Sequence, residues 1–215
     1  MTSACEMDIQ KIITVHPERP EQAVISIAYE LLNQGGLVVA PTETRYGLLG
    51  RVDNRAAVEK LFEIKGRSAD KPSAIFVEDI SQLKQLAQVT TTTQKLADSF
   101  LPGPLTLVLK SKRDFGPLFT LNQMTGFRIS SSPVISAILA ITGPLSATSA
   151  NLSGQNEPEN ISGIYEQLGE SIDLYLDAGR LNNPSSTVVR IIDDQVKILR
   201  EGAISSIAIK KAIGH

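Results

Sequence analysis

Apolar residues recur along this chain with two alternating periods, and each period predicts a different kind of element. Short β-branched runs are typical of strands. They predict strands over residues 12–15, 37–40, 46–52, 73–77, 105–110, 126–129, 145–148, 173–177, 187–192 and 196–200. Apolar residues spaced three or four positions apart predict helices over residues 21–33, 54–64, 80–87, 91–100, 133–141, 161–168 and 204–213. Strands and helices that alternate in this way indicate a layered α/β fold.

Turn and cap residues lie where these elements end. Gly35-Gly36 can end the first helix, Asn54 can cap the second, and Pro133 fits the first turn of a later one. Asp193-Asp194 predicts a hairpin between the last two strands, so the sheet is expected to be mixed. We therefore expect an α/β (α+β) fold in one domain over residues 11–215, after a flexible segment over residues 1–10.

Composition narrows the possible functions. The 215 residues are 42% hydrophobic and carry a net charge of −2, which does not favour a nucleic-acid coat or a membrane-surface protein. There is one cysteine, Cys5, so a disulfide within the chain is excluded and a cytoplasmic location is expected. No apolar run is long enough for a signal peptide or a membrane span. His16 and His215 lie at the chain's edges, which gives little support to histidine-based catalysis or a zinc site.

Two polar clusters are the main candidates for chemistry, and neither has the pattern of a core segment. Lys65 and Arg67, with Lys71 nearby, bring three cations to the end of a predicted helix, where they could clamp phosphates or a carboxylate. A solvated helix end would also explain them. Residues 149–154 offer hydroxyls, an amide and a backbone that a ligand can approach closely, or alternatively a cap or turn.

Further candidates lie at the ends of predicted strands, where ligands of open α/β sheets bind. Thr42 and Thr44 follow a buried strand, although a surface turn with capping threonines would look the same. Arg128 lies in a strand suited to burial and needs a partner, either a protein carboxylate or a ligand phosphate. Ser186 precedes one late strand and Arg200 ends another, where a cation could reach an anion.

Taken together and in this order, the motifs resemble the YrdC/YciO family, whose main activity is threonylcarbamoyl-AMP synthase. The resemblance runs from about Gln22 to Ala203. It rests on six motifs: PTETxYGL at Pro41–Leu48, KGR at Lys65–Arg67, PGP-x-T at Pro102–Thr106, SANxSG at Ser149–Gly154, STVV at Ser186–Val189 and LR-x-GA at Leu199–Ala203.

The resemblance implies a twisted mixed sheet around a basic cavity. It implies that L-threonine, bicarbonate and ATP give threonylcarbamoyl-AMP and pyrophosphate. A partner transferase then modifies an adenosine in tRNA, and contact with RNA is among the expected interactions. Mg²⁺ is expected to bridge the phosphates, since no carboxylate cluster indicates a metal held by the protein.

The resemblance also assigns residues. The central catalytic set is Lys65, Arg67, Ser149 and Asn151, which are also expected to contact ATP. Threonine is expected near Thr42, Thr44 and Ser186. The triphosphate is expected near Lys65, Lys71, Arg128 and Arg200, with Arg67 reaching either substrate. Cations and amides placed this way would stabilise the charge that develops as a carbamate attacks the α-phosphorus, without a histidine base.

Four positions depart from the family pattern. Ser68 and Ser130 stand where many relatives have proline, Phe76 replaces a common histidine, and Arg45 replaces a common apolar residue. Because Phe76 cannot donate a hydrogen bond, a YciO-like nucleotide- or RNA-binding protein with weak or altered activity stays as an alternative. A carbamoyl-phosphate enzyme of hydrogenase maturation is a third possibility, but its additional zinc-binding domains are absent here.

Overall fold

The computed structural model describes residues 11–66 and 72–214. Within these residues the helices are α1 (Gln22–Asn33), α2 (Arg55–Lys65), α3 (Ile80–Leu86), α4 (Thr91–Phe100), α5 (Pro133–Thr142), α6 (Ile161–Leu168) and α7 (Ser206–Ile213). The strands are β1 (Ile12–Thr14), β2 (Val38–Pro41), β3 (Tyr46–Leu49), β4 (Ala74–Phe76), β5 (Leu105–Lys110), β6 (Thr120–Leu121), β7 (Met124–Arg128), β8 (Leu145–Ser149), β9 (Leu174–Asp177), β10 (Thr187–Ile192) and β11 (Gln195–Arg200).

The described strands form one sheet in the order β1-β9-β2-β3-β8-β4-β7-β5-β10-β11, with β6 paired to β7. The sheet is mixed: β10 runs parallel to β5 and antiparallel to β11, for example. The predicted hairpin lies between β10 and β11, and both Asp193 and Asp194 have positive φ angles, of 48° and 61°. Two such residues suit the tight turns that match strand twist. The mixed α/β fold expected from the sequence is therefore confirmed.

Local differences from the predicted elements arise at turns. Strand β3 ends at Leu49 instead of continuing to residue 52, because the chain bends there toward the cap of α2. Strand β7 begins at Met124, earlier than predicted, since Asn122 and Gln123 adopt positive φ angles and turn the chain back on β6. Strand β6 was not predicted from the sequence, because its two residues are too few to show an alternation of apolar and polar positions.

Two hydrophobic clusters cover opposite faces of the sheet. On one face α1 and α5 pack against β2 and β9 with side chains such as Ile25, Leu32 and Ile138. On the other face α2, α3, α4, α6 and α7 share a larger cluster that includes Leu61 and Ile209. The core therefore lies in two layers, and the face that carries α1 and α5 is left open over β4, β7, β5 and β10.

Tyr46 joins β3 to the segment that follows β9. Its hydroxyl donates a hydrogen bond to Gly179 O at 2.6 Å and accepts one from Ala178 N at 3.0 Å. Burial is the main cause that raises the pKa of Tyr46 to about 12. Because an unfolded tyrosine titrates near a pKa of about 10, the folded state holds this proton more tightly. The resulting stability is full below the unfolded pKa and is lost as the pH rises through the folded one.

Replacing Tyr46 by phenylalanine is expected to lower the free energy of unfolding by about 1–2 kcal/mol at neutral pH, because Gly179 O and Ala178 N each lose a hydrogen bond. The loss of stability between pH 10 and about 12 should also become shallower, although burial raises the pKa of Tyr175 as well and that contribution stays. Urea unfolding at several pH values measures both effects. Tyr29→Phe is the matched control, and an equal effect from it would contradict this role of Tyr46.

Candidate active site

A cavity of about 420 Å³ opens on the part of the sheet that α1 and α5 leave uncovered. Its floor consists of every second residue on neighbouring strands, because alternate side chains share one face. These residues are Gly47 on β3, Ala147 and Ser149 on β8, Ala74 and Phe76 on β4, Gly126 and Arg128 on β7, Thr106 and Val108 on β5, and Val188 and Arg190 on β10. Small residues at the centre of this face make it concave: a Cβ on Gly126 would lie 3.2 Å from Ala74 Cβ.

Lys65 ends helix α2 and connects it to the turn after β8. Its Nζ donates hydrogen bonds to Ser149 O at 2.7 Å, to Asn151 O at 2.8 Å and to Asn151 Oδ1 at 3.0 Å. Only 1% of Lys65 is exposed, so the expectation that this segment lies outside the core is wrong for this residue. Gly66, with a φ of 48°, ends the helix directly after it. The two segments singled out in the sequence, 84 residues apart, therefore meet in space.

The turn that Lys65 holds is itself hydrogen bonded. Ser149 Oγ donates to Asn151 Oδ1 at 2.6 Å, and Asn151 Nδ2 donates to Gln155 O at 2.8 Å. Of these residues Ser149 lines the cavity, whereas Lys65 and Asn151 lie just behind its wall. Lys65 thus fixes the position of Ser149 relative to the cavity. Arg67 and Lys71, together with Ser68, lie outside the described residues.

The turn after β2 places two threonines at the cavity. Thr42 Oγ1 donates to Arg45 O at 2.6 Å and accepts from Thr44 N at 3.1 Å, so this hydroxyl closes the turn. Thr44 Oγ1 instead accepts a hydrogen bond from an Arg128 side-chain nitrogen at 2.9 Å. Both threonines line the cavity, so the turn has the capping role and also brings a hydroxyl to the candidate site.

Arg128 is buried at the end of β7, and a protein carboxylate is its partner. One guanidinium nitrogen lies 2.8 Å from Glu43 Oε1, and the Ser130 hydroxyl donates to the other oxygen of Glu43. Of the two partners considered from the sequence, the structure therefore supplies the carboxylate. The Arg128 Nε is buried and makes no hydrogen bond within the described part of the chain. The guanidinium carbon lies 5.6 Å from the centre of the Phe76 ring, an arrangement in which ring and cation attract.

Three of the sequence motifs meet at the wall of the cavity that contains Ser186 and Arg200. Arg200 donates to Ser186 O at 2.9 and 3.2 Å and to Ser186 Oγ at 3.2 Å. Ser186 Oγ also lies 3.0 Å from Thr106 Oγ1. The STVV, LR-x-GA and PGP-x-T segments therefore converge here, and Thr106 is a cavity residue to which the sequence analysis gave no role.

The charge that lines the cavity is positive on balance, although Arg128 is paired with Glu43 and Arg45 with Glu159. Among the described residues that line it, the charged ones are Arg45, Arg128, Arg190, Arg200 and Glu157. Such a balance favours anionic ligands. Arg45 and Arg190 were not assigned from the sequence. The alternation of β10 was the available signal for Arg190, because it lies four positions from Ser186 and thus on the same face.

Residues 11–66 and 72–214 contain no group of three or more histidines, cysteines or carboxylates placed to hold a metal ion. In the same residues, every helix is too short or too polar to cross a membrane.

Replacing Glu43 by alanine is expected to lower the free energy of unfolding by about 3 kcal/mol, because Arg128 would keep a largely buried charge without its carboxylate. The exposed pair Arg55–Glu59 is the matched control, and Glu59→Ala should cost less than about 1 kcal/mol. Urea unfolding of both variants tests this difference. Equal small effects would indicate that water already neutralises the cost of the Arg128 charge.

Known proteins resemble this chain in sequence and in fold. The family model Sua5_yciO_yrdC, described as telomere recombination, matches residues 30–202. The threonylcarbamoyl-AMP synthase of Bacillus subtilis is 36% identical over 88% of this chain and 56% of its own length.

Solved structures share the fold. The crystal structure of Pyrococcus abyssi Sua5 complexed with L-threonine has a TM-score of 0.87 and 34% identity, covering 94% of this chain and 61% of that one. The crystal structure of Escherichia coli YciO has a TM-score of 0.85 and 26% identity, covering 92% of this chain and 98% of that one. This chain thus spans about three fifths of the length of the Bacillus subtilis and Pyrococcus abyssi relatives.

Proposed function

Because the chain belongs to the Sua5/YciO/YrdC family, we propose that it makes threonylcarbamoyl-AMP from L-threonine, bicarbonate and ATP and releases pyrophosphate. The observation that carries the proposal is the contact of the Lys65 ammonium with Ser149 and Asn151 beside a cavity to which the described residues contribute four arginines. Relatives of similar sequence are named for this synthase, and one of similar structure was solved with L-threonine. Because the chain is shorter than these relatives, the activity of the whole protein is itself part of the proposal.

Threonine would bind at the end of the cavity formed by Thr42, Thr44 and Ser186. Arg128 lies 2.9 Å from Thr44 Oγ1, so it serves this end of the cavity more directly than the triphosphate side to which the sequence analysis assigned it. Phe76 closes the floor beside it as an apolar surface, which suits the methyl group of threonine better than a further polar group.

ATP would bind with its phosphates toward Ser149 and Arg200, assisted by Arg67 and Lys71. The threonine amine forms a bond to the carbon of bicarbonate and water leaves, which gives a carbamate. A carbamate oxygen then attacks the α-phosphorus as the bond to pyrophosphate breaks. Negative charge increases on the phosphate oxygens, and fixed cations and hydroxyl donors stabilise it. Lys65 and Asn151 contribute by holding Ser149 in place. Mg²⁺ would enter with the triphosphate as its counterion, since the described carboxylates do not form a metal site.

The product is a mixed anhydride that a transferase would consume in modifying a tRNA adenosine. We accordingly place the protein in the cytoplasm, in a pathway with a threonylcarbamoyl transferase and with tRNA as the final acceptor. The arginines that line the cavity in the described part of the chain could also contact RNA phosphates, so an RNA contact belongs to the proposal.

The test incubates the pure protein with ATP, bicarbonate and single amino acids and measures pyrophosphate. Release that requires threonine and bicarbonate together is the expected result. Serine, which lacks the methyl group that would contact Phe76, is the matched control and should be less active. ATP consumption that does not depend on either substrate, or nucleotide binding without turnover, would favour the YciO-like alternative instead.

A further inference from the structure

Arg190 lines the cavity on β10, beyond the residues assigned so far. It follows Ser186 and Val188 on the cavity face of β10 and lines the cavity with them. Strand residues rise about 3.3 Å each, so its Cα lies about 13 Å along β10 from that of Ser186. The side chain is partly exposed and belongs to none of the ion pairs formed by the described residues.

Two of the residues near Arg190 on this face are also cations. Lys197 lies directly opposite it on β11. Val108 lies beside it on β5, and Lys110 is the next residue of β5 on the same face. Like charges directly opposite each other on neighbouring strands destabilise a sheet. The pairing of Arg190 with Lys197 therefore does not stabilise the fold, whereas a bound anion would interact favourably with both charges.

Arg190 and Lys197 extend the row of positive charges that begins at Arg200. Arg200 lies opposite Val188 and Lys197 opposite Arg190, so the cations follow the hairpin outward from Ser186. Glu157, the carboxylate among the described lining residues, lies in the loop after β8, and Glu159 O of that loop accepts a hydrogen bond from Leu181 N, before Ser186. A ligand reaching outward from Ser186 would thus meet successive positive charges, and a chain of phosphates fits that series.

We propose that Arg190, with Lys197 opposite it, binds the terminal phosphates of the triphosphate and holds the pyrophosphate that leaves. This assignment rests on the proposed synthase reaction and specifies its nucleotide as a triphosphate whose terminal phosphates lie beside Arg190. Arg190 then affects triphosphate affinity and not threonine affinity, because threonine occupies the opposite end at Thr44.

The experiment measures binding of inorganic tripolyphosphate and of AMP by titration calorimetry to the wild type, Arg190→Gln, Arg190→Lys and Arg55→Gln. Arg190→Gln should weaken tripolyphosphate binding about tenfold or more, as expected for one charged hydrogen bond, and leave AMP binding unchanged. Arg190→Lys keeps the charge and should retain most of the affinity. Arg55→Gln removes an arginine far from the cavity and is the matched control, expected to bind both probes as the wild type does.

Because this titration needs no turnover, its result is independent of the synthase reaction. Tripolyphosphate binding by Arg190→Gln equal to that of the wild type, or no binding by the wild type, would overturn the assignment even if threonine-dependent pyrophosphate release is seen.

In steady-state assays, Arg190→Gln should raise KM for ATP and leave KM for threonine unchanged. A rise in both constants would show a general distortion of the cavity and would also overturn it. Arg190 is partly exposed, and the thermal midpoint of each variant checks that it folds.

Discussion

Replacing Lys65 by methionine is expected to lower kcat/KM for ATP by about 100-fold or more and the free energy of unfolding by about 3 kcal/mol. The methionine side chain fills the same space but cannot donate hydrogen bonds. Ser149 O, Asn151 O and Asn151 Oδ1 would then lose the ammonium that now contacts all three within 3.0 Å. The turn should relax, and Ser149 Oγ should lose its position at the cavity wall.

Lys60→Met is the matched control for Lys65, because it makes the same change in the same helix where the lysine side chain is 47% exposed. It should alter both quantities by little. Urea unfolding and pyrophosphate release, measured on both variants, separate the two effects of Lys65. Near-normal turnover in Lys65→Met, with or without lost stability, would show that the position of Ser149 does not matter for the reaction.

Gly202→Ala is expected to cause the second largest loss, about 3 kcal/mol in the free energy of unfolding together with most of the activity. A Cβ at this position would lie 2.1 Å from Ser185 O and 2.8 Å from Ser186 O. Both neighbours are backbone atoms, so no side chain can turn away to relieve the contact. The chain after β11 would have to separate from the segment that carries Ser186, and this would break the hydrogen bonds from Arg200.

The Gly202→Ala substitution should first weaken the binding of substrate. Gly202 N and Ile204 N both donate to Thr187 Oγ1, at 2.9 and 3.0 Å, so the loop is tied to the residue after Ser186. We expect KM for threonine to rise in the variant that still folds at low temperature. Glu201→Ala, the exposed neighbour, is the matched control. Wild-type stability and kinetics in Gly202→Ala would mean that the two segments are not held this closely.

The sequence predicted the local elements well, because each carries its own signal. Asn54 caps α2 as expected, its side chain accepting from Ala57 N at 3.2 Å, and Ser132 with Pro133 begins α5. The strand order could not be read in the same way. Strand β8 pairs with both β3 and β4, and these contacts join residues about 70 to 100 positions apart, whose pairing no local period records.

The contacts of side chains in the site could not be predicted either, because they join residues that are distant in the sequence. Lysines are common at exposed helix ends, so nothing in the sequence of α2 indicates that Lys65 is buried against a turn 84 residues later. The Arg128 partner was open between a carboxylate and a phosphate because Glu43 lies 85 residues away. Arg190, in contrast, could have been assigned, since the period of β10 already places it on the face of Ser186.

Two of the departures from the family pattern, Phe76 and Ser130, lie near Arg128. Phe76 lies opposite Arg128 in the register of β4 and β7, and Ser130 reaches the carboxylate that pairs with Arg128. Two of the four unusual residues therefore adjust the surroundings of one arginine. This suggests a changed contact to the amino acid substrate, while the contact of Lys65 with Ser149 and Asn151 is independent of it.

The most direct measurement follows the carbon of bicarbonate. The protein is incubated with ATP, L-threonine and ¹³C-labelled bicarbonate, and the nucleotides are analysed by mass spectrometry. We expect a new adenylate that contains threonine and a single labelled carbon, formed in step with pyrophosphate and absent when threonine is omitted. An ATP-consuming protein that yields no labelled adenylate would contradict the proposed reaction.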